Sequence, residues 1–215
     1  MKCKKNLLVL GGGQESFYYI SKISNKYNIY LIDKNPKCSS RSLSKEFLKC
    51  SIYEPEKIFK LLKTNKKFGK IDGVVCLGTD APITASYLAK KFKCISIPMH
   101  AALVTSNKIK IKKILKKINI NTPRFMIAKK VSDIDNFIKK NKLPIIIKPD
   151  DSRGSRGVNI VWEKKGLRNF FEIAKKYSST KTVLLEEYID GKQISSDSII
   201  YKKKAFPIGL SDRNY

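Results

Sequence analysis

Between Pro144 and Val161 the chain reads PIIIKPDDSRGSRGVNIV, two short apolar runs rich in β-branched residues on either side of a loop dense in turn formers. Ile145–Ile147 and Val158–Val161 have the composition of strands, and the breakers between them make an antiparallel hairpin the economical reading. Gly154 and Gly157 reach backbone conformations closed to other residues, which lets N–H groups crowd around an oxyanion. Ser152, Arg153, Ser155 and Arg156 add side-chain donors, those of the arginines charged. Lys148 projects from the end of the first run toward the same space. The pattern suits phosphate binding, and it also suits a plain solvated basic turn, so the loop alone leaves both readings open.

A second segment narrows the choice. Thr182–Ile200 reads TVLLEEYIDGKQISSDSII: strand-like up to Glu186, a reversal at Asp190–Gly191, and an alternating strand from Ile194 to Tyr201. Two adjacent carboxylates, Glu186 and Glu187, therefore precede a chain reversal. Upstream, Asn6–Leu10, the triple glycine Gly11–Gly13, a helical SFYYISKI stretch and a strand over Ile29–Ile32 ending at Asp33 form a β-α-β pattern. A helix over Glu56–Lys63, a strand over Ile71–Leu77, a helix over Ile83–Lys91 and a short strand near Cys94–Ile97 extend it into an open α/β domain. Asn107–Ile118 has helical periodicity, and Pro123 breaks the chain before a strand. Ser132 is expected to cap a short helix, with Asp135 near its positive end. A further helix is expected over Leu167–Tyr177.

In order and spacing these segments resemble the ATP-grasp superfamily, which includes carboxylate-amine ligases and enzymes of the carbamoyl-phosphate-synthase and biotin-carboxylase types. The resemblance covers nearly the whole chain. It implies an α/β fold: an N-terminal Rossmann-like open parallel sheet (the pre-ATP-grasp domain, 1–100), a connecting helical segment (101–121), the first lobe of an α+β ATP-grasp fold carrying the phosphate loop (122–188), and the start of a second lobe (189–215). It also implies ATP as ligand. Lys108 and Lys148 match the two lysines that contact its phosphates. The loop through Ser152, Arg153, Gly154, Ser155, Arg156 and Gly157 would close over them. Glu186 matches the acceptor of the adenine amino group, and the backbone of Glu187, Tyr188 and Ile189 the hinge that pairs with the adenine edge. Gln193 stands where the family usually has a ribose-binding glutamate; an amide binds hydroxyls without the charge assistance of a carboxylate.

The implied reaction is ATP-dependent ligation: a substrate carboxylate takes the γ-phosphoryl group, and an amine then displaces phosphate from the acyl phosphate. In the family, the carboxylates and asparagine that hold magnesium lie beyond the hinge. The tail YKKKAFPIGLSDRNY offers Asp212 alone. The expectation is a truncated ligase that keeps the adenine side and lacks the metal side, with Mg2+ bound only in a complete enzyme, no metal ligands of its own and a homodimer as one possible assembly.

Several features point elsewhere. Gly11-x-Gly13 with Asp33 at the end of the next strand imitates a dinucleotide fingerprint, but Ser16 fills the third glycine position. An anion contact at Gly12 and Gly13 fits a helix start better. With 45 Lys plus Arg against 18 Asp plus Glu, the net charge of +27 invites a nucleic-acid reading. The lysines are spread over nearly every segment instead of forming one arm, and no zinc spacing or aromatic RNA signature accompanies them, so no specific nucleic acid is expected. The five cysteines, Cys3, Cys38, Cys50, Cys76 and Cys94, form no CxxC pair. Without a secretory signal they suit reduced thiols in the cytoplasm, with Cys76 and Cys94 in core strands. His100, the only histidine, reads as a loop residue near the domain junction. No apolar run reaches the ~20 residues that span a bilayer. Three functional classes remain: an ATP-dependent ligase, a nucleotide-binding module without catalysis, and a basic adaptor for acidic polymers.

Overall fold

A computed structural model describes residues 3–213, which divide into two compact units on either side of the boundary between Ile120 and Asn121. The first contains β1 (Asn6–Leu10), α1 (Gln14–Ile23), β2 (Asn28–Asp33), β3 (Glu46–Lys49), α2 (Pro55–Thr64), β4 (Gly73–Val75), α3 (Pro82–Lys91), α4 (Met99–Thr105) and α5 (Lys108–Lys117). Its sheet runs in the order β3-β2-β1-β4 and is parallel throughout. A parallel sheet covered on both faces needs strands that are apolar at nearly every position, and β1 and β2 supply them. Leu8, Leu10, Tyr30 and Ile32 pack on one side with Ile58 and Leu62 of α2 and Leu88 and Ala89 of α3. Val9, Ile29 and Leu31 pack on the other with Ile20 of α1 and Cys38. Proline in the first turn starts both α2 and α3, where its missing N–H costs nothing.

The strand order reverses between β1 and β4, and the triple glycine follows β1 there. Its tight turn comes from packing. Gly11 has φ +88°, and a Cβ there would lie 2.3 Å from Thr79 Cγ2, while Thr79 Oγ1 donates to Leu10 O at 2.7 Å.

The second unit contains β5 (Phe125–Ala128), α6 (Ser132–Asn141), β6 (Ile145–Pro149), β7 (Asn159–Val161), α7 (Leu167–Tyr177), β8 (Val183–Glu187), β9 (Gln193–Tyr201) and β10 (Lys204–Arg213). Its main sheet has the order β5-β8-β6-β7 and is antiparallel, as expected for the β6–β7 hairpin. One face carries Ala128, Ile145, Ile147, Val161, Val183 and Leu185 against Ile134, Phe137 and Ile138 of α6 and Leu167, Phe171 and Ala174 of α7. The apolar positions of α7 recur at i, i+4 and i+7, one helical face. β9 and β10 form a separate two-stranded ribbon with a register shift at Pro207/Gly209 and exposed apolar residues, Ile200 and Leu210 among them.

The structure corrects several sequence expectations. Cys94–Ile97 is not a strand, and Ile95 is 94% exposed. The strand expected over Ile71–Leu77 shortens to β4. Cys76 and Cys94 are half-buried outside strands; Cys38 and Cys50 are the buried thiols, and all five cysteines are free. Burial, first among the causes, pushes the Cys38, Cys50 and Cys94 thiols up. His100 lies on α4, not in a loop.

Ser132 is the first residue of α6 and not its cap; the capping position is Val131, with no side-chain cap bond. Asp133 instead closes the preceding turn, its Oδ2 accepting from Lys129 N at 2.8 Å and Lys130 N at 3.0 Å. Those two backbone bonds hold its carboxyl below the usual range. A depressed carboxylate adds stability above its unfolded pKa, and that contribution disappears as pH falls through the lower folded value. Asp133→Asn is therefore expected to lower the urea midpoint at pH 7 and to change it little at pH 2. An equal shift at both values would show that the bonds do not depend on the charge.

Candidate functional site

Opposite its helix-packed side, the second unit's sheet presents a polar pair on an apolar floor. Register places Phe125 and Ile146 directly across from Glu186, and Ile160 across from Ile146. Lys148 faces Leu184 one step along the strand, on the same side as Ile146. From these diagonal positions Lys148 Nζ and Glu186 Oε2 meet at 2.5 Å, with side chains only 18% and 5% exposed. The ammonium has further donors beyond the one given to Glu186, which suits it to an anion held near the same spot.

The glycine loop follows directly from β6. Gly154, Ser155 and Gly157 have φ of +61°, +55° and +76°, so left-handed residues recur through the loop. Arg156 Nε donates to Arg153 O at 3.1 Å, and Val158 N donates to Ser155 O at 3.1 Å, folding the loop on itself. Ser155 takes a conformation usually left to glycine.

The hinge side is only partly open to a ligand. Glu187 N donates to Arg124 O at 3.0 Å, so that amide is spent within the sheet. The Glu187 carboxylate accepts from Arg124 N at 2.8 Å and pairs with Arg124 Nε at 2.5 Å, fixing the entry to β5. Tyr188 N reaches Pro144 O at 3.4 Å, a long bond. Ile189 is exposed, and Gln193 opens β9 with its side chain exposed. Lys108 is the first residue of α5 in the first unit, where the Asn107 side chain caps the helix through Lys110 N.

Sequence reasoning missed one member of this face. Trp162, the chain's single tryptophan, follows β7, and its ring lies 5.4 Å from that of Tyr188. A lone aromatic directly after a strand of the glycine hairpin was the available signal.

The dinucleotide imitation in the first unit is consumed internally. Asp33 Oδ2 accepts from Gly12 N at 2.7 Å, and its Oδ1 accepts from Asn35 N at 2.8 Å. The anion contact expected at Gly12 is thus already filled by the chain's own carboxylate. Ser16, in the third glycine position, is fully buried and donates to Leu77 O at 2.5 Å.

Residues 106–213 match the family model of the phosphoribosylglycinamide synthetase ATP-grasp (A) domain, half of the chain. The chain belongs to the ATP-grasp family. Among ATP-grasp relatives, the carbamoyl phosphate synthase large chain of Bifidobacterium adolescentis is 24% identical over 77% of this chain and 15% of its own length. The D-alanine–D-alanine ligase of Clostridium botulinum is 38% identical over 85 residues, 39% of this chain and 28% of the ligase. Staphylococcus aureus N5-carboxyaminoimidazole synthetase complexed with ADP superposes with a TM-score of 0.80 at 18% identity, over 100% of this chain and 56% of that one. The chain therefore spans about half the length of that ATP-grasp structure and a smaller share of the two enzymes. No described helix is long and apolar enough to cross a membrane.

Proposed function

We propose that this chain binds ATP on the Lys148–Glu186 face of its second unit, as the nucleotide-holding part of an ATP-dependent carboxylate-amine ligase. The observation that carries the reading is the Lys148–Glu186 pair, half-buried at the lysine and buried at the glutamate, at the foot of the left-handed glycine loop. Lys148 neutralises phosphate charge. Ser152 to Gly157 close over the phosphates with backbone and side-chain donors. Glu186 takes the adenine amino group, the chain through Tyr188 and Ile189 follows the base edge, and Gln193 holds ribose hydroxyls. Ile146 and Ile160 supply the apolar floor for the ring, and Trp162 with Tyr188 its outer wall. The segment 122–188 acts as the first nucleotide lobe and 189–215 opens a second. The ADP bound by the S. aureus relative supports the nucleotide class, and the ligase relatives support the reaction class.

When bound, ATP supplies the γ-phosphoryl group that activates a substrate carboxylate for attack by an amine. The residues of this chain bind and orient it, shield it from water and offset its charge, as phosphoryl transfer requires. Among the described residues no group of three or more His, Cys, Asp or Glu is placed to hold a metal ion.

The single tryptophan offers a direct assay. ATP is expected to change Trp162 emission in a saturable way, and Trp162→Phe is expected to remove the signal while calorimetry still detects binding. A titration that leaves both emission and heat unchanged would overturn the nucleotide reading. The net charge of +27 favours a second reading, binding of acidic polymers. Such binding weakens steeply with added salt, whereas ATP held by a half-buried lysine is expected to persist at 0.3 M NaCl.

A further inference from the structure

The two aspartates at the start of the glycine loop are engaged with the turn that follows α7. Asp150 is 2% exposed. Its Oδ1 accepts from Ser178 Oγ at 2.8 Å and its Oδ2 from Thr180 Oγ1 at 2.9 Å. Ser178 Oγ in turn accepts from Thr182 N at 2.9 Å and lies 3.1 Å from Thr180 Oγ1, so the two hydroxyls and the carboxylate form one network. Asp151 accepts from Ser179 N at 3.1 Å and from Ser179 Oγ. The far stem of the loop rests on the same stretch, since a Cβ at Gly157 would lie 3.0 Å from Tyr177 Cβ and from Pro149 Cγ. Both stems are thus tied to Tyr177–Thr180, where α7 ends, and α7 is fixed by Leu167, Phe171 and Ala174 in the core. The tip between the stems is less crowded: a Cβ at Gly154 would meet nothing within 4 Å.

We infer that Asp150, held by the Ser178 and Thr180 hydroxyls, is the positioning residue that sets the glycine loop over the phosphates of ATP. The inference rests on the ATP reading above. A buried carboxylate is an acceptor only, so both oxygens need donors, and hydrogen bonds to a charged group are the strong ones. Hydroxyls can meet that need from a turn that the helix has already placed, so the loop inherits the rigidity of α7. Neither aspartate contacts nucleotide in this scheme. Their contribution is to limit where Ser152 to Arg156 can travel.

Thr180→Val keeps the shape and removes one donor, whereas Thr180→Ser keeps the hydroxyl. Thr180→Val is expected to weaken ATP binding about tenfold, the loss typical of one hydrogen bond to a charged group, and to leave adenosine binding unchanged. Trypsin cleavage at Arg153 and Arg156 without nucleotide is expected to speed up by a similar factor, and Thr180→Ser is expected to match wild type in both assays. Asp150→Asn, which turns one acceptor into a donor, should give the same split between ATP and adenosine. Thr180→Val protein with wild-type cleavage and a wild-type ATP-to-adenosine ratio would overturn the clamp. Wild-type protein that binds neither ligand would overturn the nucleotide reading instead, and the cleavage comparison would then decide the clamp by itself.

Discussion

Lys148→Met is expected to weaken ATP binding at least about a hundredfold and to destabilise the second unit as well. Two causes act together. The substitution removes a cation proposed to neutralise phosphate, and charge-assisted contacts of that kind contribute about 1.5–3 kcal/mol each. It also leaves the Glu186 carboxylate, 5% exposed, without its partner at 2.5 Å. Breaking one side of a buried pair costs about 3–5 kcal/mol, and the 18% exposure of Lys148 places this case toward the lower end. Replacing both members with apolar residues behaves differently, because the buried carboxylate is removed together with the lysine. Lys148→Met combined with Glu186→Leu is accordingly expected to recover most of the urea-unfolding free energy while recovering none of the ATP affinity. Calorimetric titration and chemical denaturation of the wild type and the two variants make the comparison. Retention of wild-type ATP affinity by Lys148→Met would show that the lysine is structural only.

The pattern of what could be read from the sequence has physical causes. β1, β2, β6 and β8 are short runs of Leu, Val and Ile, and α7 falls on Leu167–Tyr177 as its periodicity indicates. Burial on one face or both is written into such segments directly. β3, by contrast, is the four residues EFLK at the sheet edge, and only pairing with Tyr30–Asp33 makes it a strand. β10 contains Pro207 and Gly209, which read as breakers, and the register shift between them is what accommodates both. The reverse holds at Cys94–Ile97, whose apolar composition suggests a strand but which pairs with no strand among the described residues. In the candidate site, Lys148, Glu186 and the loop were visible because spacing along the chain carries them. Asp150 with Ser178, and Trp162 with Tyr188, are brought together by the turn after α7 and by the register of β6, β7 and β8. No local pattern encodes either contact.

The loop's two glycines make a sharper test of how it is held, because they share a left-handed backbone and differ in surroundings. Gly157 has φ +76°, and a Cβ there would stand 3.0 Å from Pro149 Cγ and from Tyr177 Cβ and Cδ2. Pro149 lies in β6 and Tyr177 at the end of α7, so neither can retreat without moving an element of the core. Gly157→Ala thus combines about 1–2 kcal/mol of backbone strain with about 1–3 kcal/mol of overpacking. Gly154 has φ +61° with nothing within 4 Å of its would-be Cβ, so Gly154→Ala carries the backbone cost alone. Expected losses of unfolding free energy are about 2–5 kcal/mol for Gly157→Ala and about 1–2 kcal/mol for Gly154→Ala. The ATP effects should rank the same way, because displacing an anchored stem moves the whole loop while strain at the tip can relax into solvent. Equal costs at the two positions, measured by denaturation and ATP titration, would mean that the stem is not anchored on Tyr177, and that the loop's position over the phosphates is set by its own turns.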